Sequence, residues 1–266
     1  MPKLLGLYER DYFTLTENEI AEKQQVDIAH GNTPEHKFGH VNCFCSYPKA
    51  IRHNDSLFPN NYLDIVDLKD AEELGRQCDG FERLLSDRTI TELDIKRYIQ
   101  NNKYYHIPAS IFVNYNFGHH EAVLFKEFQL GTSYKADYLL AGRGSGGWQF
   151  VFVEFENPYG RVVLGDGTFG EVIRSGLNQV NDWKEFVEGN FPTVSSEFRK
   201  YTTKVLPAEF YTYDASRMHY VVVAGRRDAY VDKANRLRRA CESEIKILHY
   251  DNLLDDARRL IGAKSY

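Results

Sequence analysis

With 266 residues, the chain is long enough for one large domain or two ordinary ones, each with a full core. A composition of 42% apolar and 27% charged residues, without low-complexity tracts, excludes a disordered or fibrous protein, and no run approaches the roughly 20 apolar residues that span a bilayer. The net charge of -5 argues against a surface that grips nucleic acid all round, so any such contact needs a local basic patch or bound cations.

Met1 to Arg10 carries too short an apolar run for a secretory signal, which makes the cytoplasm the expected location. Cys43, Cys45, Cys78 and Cys241 are few and scattered, and read as free thiols. Residues 1–66 look irregular, with turn-formers at Gly31 to Pro34 and at Pro59 to Asn61. Zinc-type ligands crowd this stretch: His30, His36, His40, Cys43, Cys45 and His53. His36-x₃-His40 fits half of a structural zinc pattern, but Cys43-x-Cys45 is tighter than usual, so a His-rich surface loop with buried thiols is the preferred reading.

From Asp67 the pattern changes. Leu68, Ala71, Leu74, Cys78, Phe81 and Leu85 recur at helical steps. A second helix is expected from Thr91 as N-cap, with Asp94 three residues on. Strand-like runs follow at Ala122 to Leu130, Ala136 to Ala141 and Trp148 to Glu156, joined by turns at Gly131 and at Gly142 to Gly147, as in an antiparallel meander. A long helix is expected next, opened by a capping box of Thr168 and Glu171, carrying the stripe Ile173, Leu177, Val180, Trp183 and Val187, and ending at Gly189-Asn190. A further helix is expected at Ser195 to Val205. The tail reads as strand His219 to Ala224, helix Tyr230 to Cys241, strand Ile245 to Tyr250, and a helix from Asn252 to Ile261 capped by Asp251. This order predicts an α/β fold: a mixed sheet flanked by helices, preceded by an irregular α+β N-terminal segment.

Phe150, Val151, Phe152 and Val153 are apolar on both faces, as in a central strand, yet Glu154 and Glu156 close it. Strand periodicity puts these two carboxylates on one face, about 7 Å apart, where each raises the other's pKa unless a cation lies between them. Asp137 sits inside an apolar run on the preceding strand, so neighbouring strands would bring three carboxylates together. The plainer reading is a strand emerging into solvent before the Asn157-Pro158 turn.

Asp137 followed by Glu154-Phe155-Glu156 resembles the PD-(D/E)XK nuclease pattern, and Gln179-Val180-Asn181-Asp182-Trp183 resembles the Q-x-x-x-W element of some of its branches. The block from Leu130 through Lys135-Ala136-Asp137, Val153-Glu154-Phe155-Glu156-Asn157-Pro158 and Gln179 to Trp183 is similar to the Shedu family of antiphage defence proteins. Val221 to Arg227 and Ile247 to Leu254 look like the closing strands of the same domain. The resemblance covers roughly residues 90–262, which divides the chain into an N-terminal segment, 1–85, whose role the sequence does not identify, a sensing or regulatory one being the candidate, and a nuclease domain, 86–266.

That resemblance implies a restriction-endonuclease-like core and a metal-dependent DNA endonuclease or nickase acting in defence, as a homo-oligomer, with DNA as partner and no membrane. It implies Mg²⁺, with Mn²⁺ as a substitute, held by Asp137, Glu154 and the Phe155 carbonyl. Gln179 reaches toward this cluster while Trp183 packs beneath it; on an unrelated fold Trp183 would simply be core. The superfamily's usual lysine is replaced by Glu156, which leaves three openings: a second metal or general base at Glu156, a lysine from elsewhere (Lys135 being the candidate), or a weak or inactive module that recognises nucleic acid or a protein. Glu92, opening the helix before the meander, is a further candidate carboxylate, and Glu127 a weaker one. Arg143, in the glycine-rich turn, and Arg174, near the start of the Gln179 helix, are the candidate phosphate contacts.

Overall fold

The computed structural model describes residues 6–32, 41–241 and 244–266. Contrary to the expectation of an irregular N-terminus, α1 (Glu17–Ala29) and α2 (Lys49–Asp55) form there. α1 buries no residue, so it has no apolar stripe to betray it; its one sequence mark is the capping box of Thr16 and Glu19. α3 (Ala71–Leu84), α4 (Glu92–Asn102) and the short α5 (His106–Ala109) follow. Asp94 accepts from the Thr91 amide and hydroxyl, at 2.9 and 2.7 Å, and fixes the start of α4.

β1 (Glu121–Leu130), β2 (Tyr134–Gly144) and β3 (Gly147–Phe155) make the antiparallel meander. α6 (Glu171–Phe198), β4 (Met218–Val223), α7 (Asp232–Cys241), β5 (Lys246–Leu248) and α8 (Tyr250–Arg259) complete the chain. The sheet order is β1-β2-β3-β4-β5, with β3, β4 and β5 parallel. The fold is α/β, a five-stranded mixed sheet flanked by helices.

Both faces of the sheet are covered, which is why β3 reads as an unbroken apolar run. Phe150 and Phe152 point into a core shared with Trp183, Val187 and Phe198 of α6. Val151, Val153 and Phe155 point into the opposite core, with Phe81 of α3, Ile95 of α4 and Leu253 of α8. Residues before 86 enter both: Phe58 lies in the α6 core and Leu63, Phe81 and Leu85 in the other.

Three expected helix ends are corrected. α6 is capped by Gly170 rather than Thr168, whose hydroxyl bonds Asp166 at 2.8 Å. A Cβ at Gly170 would lie 1.8 Å from the Arg161 carbonyl oxygen, so only glycine admits the close approach of the two segments. α6 does not stop at Asn190. It kinks there, where φ is -134°, and Pro192 sits in the first turn of the resumed helix, where its missing N–H is tolerated; the helix then ends at Phe198 instead of running from Ser195 to Val205. His249, not Asp251, caps α8, because Asp251 is taken by Arg226 through two bonds of 3.1 and 2.8 Å.

Candidate functional site

β3 and β2 set the site. Their antiparallel register ends with Tyr138 paired to Val153, so Asp137 and Glu154 are the next residues beyond the last pair, near enough to act on one another electrostatically. At this point the ladder is distorted. Glu127 of β1, which faces Asp137 across β1 and β2, has φ of +49°, a left-handed value that costs a non-glycine residue roughly 1–2 kcal/mol. Face alternation breaks there: Phe125 and Phe128, three apart, reach the same core, as do Ala136 and Leu139. Freed from regular pairing, the Asp137 carboxylate turns to the end of β3 and accepts the Phe155 amide at 2.9 Å. Within a strand the N–H and C=O of one residue face the same neighbour, so the Phe155 carbonyl faces this side too.

Asp137, Glu154 and Glu156 are brought together and all three are buried, at 7%, 6% and 8% exposure. Gln179, one helical turn before Trp183, donates to Glu154 Oε1 at 2.7 Å, while Trp183 is fully buried below. Glu154 Oε2 is buried and has no hydrogen-bond partner among the described residues. Glu156 takes a hydrogen bond from Ser175 of α6, and its backbone carbonyl accepts the Tyr250 hydroxyl at 2.7 Å. α6 lies close because residue 176 is glycine: a Cβ there would meet Val222 Cγ1 at 2.6 Å and Glu156 Cγ at 3.0 Å.

The lysine at this site is Lys96 of α4. Its ammonium lies 2.8 Å from Asp137 Oδ1 and 3.3 Å from Glu92 Oε1, which places Glu92 at the rim. Lys135 does not reach the cluster; it pairs with Glu127 at 2.8 Å on the surface. The sequence carries a mark of Lys96 that the strand-based search passes over: Glu92-x-x-x-Lys96 puts both on one face of the helix that precedes the meander. Arg174 lies beside Glu156 in a cavity of about 590 Å³. Arg143 does not: it sits at the opposite end of β2, 3.9 Å from Glu121, six residues or about 20 Å from Asp137. Of the N-terminal zinc-type ligands, His36 and His40 lie outside the described residues. Cys43 accepts from Asn32 at 3.3 Å and His53 is buried against Asp64.

Electrostatics separate the carboxyls. Burial, with Asp137 and Glu156 nearby, pushes Glu154 up to about 9. Burial pushes Glu156 up to about 7 against the Ser175 bond. Asp137 is raised as well, since burial outweighs the attraction of Lys96. Lys96 is raised in turn: Asp137 and Glu92 outweigh its own burial. The pair therefore holds a cation firmly beside an anion that desolvation disfavours. Because Glu154 and Glu156 bind protons more tightly in the folded protein than in the unfolded chain, the stability these two groups contribute is fully present below the ordinary carboxyl range near 4.5 and is lost as pH rises to about 9. Melting in chelator at pH values across that window is expected to show the decline, flattened in Glu154→Gln; an unchanged slope in the variant would contradict this account.

Among the described residues no three His, Cys, Asp or Glu side chains converge on one point as a ready ligand set. What the site does offer a hard cation is two facing carboxylates, one with a buried unpartnered oxygen, and a backbone carbonyl beside them. No described helix is long and apolar enough to cross a membrane.

Residues 90–254 match the family model described as Shedu protein SduA, C-terminal. No curated protein matches the chain.

Proposed function

Because the chain belongs to the Shedu family through residues 90–254, we propose that it is a metal-dependent DNA endonuclease or nickase of antiphage defence, with Asp137 and Glu154 at its centre. The observation that carries this reading is Glu154: a buried carboxylate facing Asp137, steered by Gln179 through one oxygen and left with the other unpartnered. Such a group is costly in a protein core and is put to use where a cation comes to it. Mg²⁺, or Mn²⁺ in its place, held by Asp137, Glu154 and the Phe155 carbonyl, would supply an activated water and neutralise charge on the phosphate oxygens.

The chain's own groups do the rest. Gln179 fixes the rotamer of Glu154. Lys96 carries the positive charge that the family pattern's lysine would bring, from a helix instead of from β3. Glu156, pushed up to about 7, exchanges a proton near neutral pH, which suits its carboxylate to accept one from the attacking water. Phe155 and Tyr250 hold the backbone on either side of it.

One observation favours a second reading, a nuclease-fold module that recognises DNA without cutting. Lys96 already neutralises Asp137, so the cluster is partly balanced without a metal. Incubating the protein with supercoiled and linear DNA, in Mg²⁺, Mn²⁺ or chelator, separates the two. Metal-dependent nicking lost in Asp137→Ala and Glu154→Ala supports the enzyme; chelator-indifferent binding without cutting supports the module. The homo-oligomer that the family implies is checked by sedimentation of the full chain.

A further inference from the structure

We propose that the cavity between Arg161 and Arg174 seats the backbone phosphate of a DNA strand next to the one that is cut, an assignment that deepens the nuclease reading and rests on it. Three cavities near the ends of β2 and β3 are linked through shared lining residues. One, of about 550 Å³, is lined by Lys135, Ser175, Gln179 and Asp182. The middle one, about 590 Å³, shares Ser175 with it and holds Glu156, Arg161 and Arg174. The third, about 430 Å³, shares Tyr159 with the middle one and is lined by Arg88, Arg226, Arg227 and Asp251.

All three contain cations, but their charge is not equally available. Lys135 is paired with Glu127. Arg226 is held by Asp251, the Leu85 carbonyl and the Tyr159 hydroxyl; Arg227 is paired with Asp255, and Arg88 faces Asp228 at 3.9 Å. Arg161 and Arg174 make no ion pair or side-chain hydrogen bond among the described residues, and both are exposed. Glu156 and Glu171 also line this cavity, and Asp166 acts on Arg174 only from a distance. In a chain of net charge -5, two guanidiniums there that are free of ion pairs among the described residues mark where a phosphate can take up paired donors.

The two arms are also held in fixed relation. The Gly170 amide donates to the Val162 carbonyl at 2.9 Å, the Arg174 amide donates to the Gly170 carbonyl at 3.1 Å, and Gly170 lies against the Arg161 carbonyl. The start of α6 therefore carries Arg174 at a set distance from the loop segment that carries Arg161. Guanidinium recognises phosphate through paired donors, which a lysine does not reproduce. Since Glu156 belongs to the same cavity, a phosphate seated there is adjacent to the reacting one.

The test measures binding of a fluorescein-labelled duplex DNA in chelator across a salt series, beside metal-dependent nicking. Arg161→Ala/Arg174→Ala is expected to lose at least ~10-fold in affinity and to flatten the log–log salt slope by about 0.9, the value for the one phosphate contact that is lost. Arg236→Ala/Arg239→Ala, on the exposed side of α7, is expected to leave both unchanged, and melting curves check that each variant is folded. A double variant with wild-type affinity and slope overturns the site, while nicking by the wild type keeps the nuclease reading intact. Loss of slope in a protein that never nicks keeps the site and overturns the nuclease reading instead.

Discussion

Glu154→Gln is expected to lower metal-dependent cutting by ~100-fold or more, the scale reached when one preorganised electrostatic group is removed, while the metal-free protein melts higher. The two effects have one cause. Glu154 is buried beside Asp137 and pushed up to about 9, so near neutral pH the metal-free fold makes it take up a proton that the unfolded chain does not hold, at a cost to the fold. The glutamine carbonyl still accepts from Gln179, and its amide group fills the volume of the second oxygen. What is lost is the ability to ionise, which a metal ligand needs and for which the metal-free fold is penalised. Relief of ~1 kcal/mol near neutral pH corresponds to roughly 2–4 °C for a domain of this size. Calorimetry in chelator and a nicking assay in Mg²⁺, on the same preparation, check both halves. A variant that cuts normally, or melts lower at every pH, removes Glu154 from the role assigned to it.

Lys96→Met is the second large effect, and it acts in the opposite sense on the fold. Asp137 would remain buried with its Oδ1 deprived of the ammonium now 2.8 Å away, and breaking such a pair by removing one partner costs roughly 3 kcal/mol. Asp137→Asn in the same chain is expected to restore most of that stability, because no buried charge is then left alone. Denaturant unfolding of the two single variants and the double closes a thermodynamic cycle on the pair. Additive losses would mean that the two side chains do not stabilise one another. Because Lys96 also pairs with Asp137, a proposed metal ligand, cutting is expected to fall in Lys96→Met and to stay low in the double variant although its fold has recovered.

The exposed α1 and the kinked α6 illustrate why local signals mislead in different ways. α1 is announced only by a capping box, since none of its side chains is buried and no periodicity results. α6 carries a helical stripe so regular that Gly189-Asn190 reads as its end, whereas packing of Phe191, Val194 and Phe198 against the sheet carries the helix through the kink. Gly170 takes over from Thr168 as cap because of a backbone contact with Arg161, nine residues earlier, that no local pattern encodes.

What the sequence determined by itself is whatever repeats at a fixed spacing or sits where it should not: the meander and the two-sided burial of β3, the carboxylates Asp137, Glu154 and Glu156 lodged in apolar strands, Gln179 one turn before Trp183, and the family these residues point to. What only the tertiary structure decided is which cations stand near them. Lys96 meets Asp137 across 41 residues, Lys135 is drawn to Glu127 instead, and Arg143 lies at the wrong end of its strand, while Arg161 and Arg174, on the cavity that Glu156 lines, form no ion pair among the described residues. The reason is physical. A strand's own periodicity fixes which side a carboxylate faces, but the partner of a charge is chosen by how helices and loops distant in sequence pack against that side, and by which of them has already found an opposite charge.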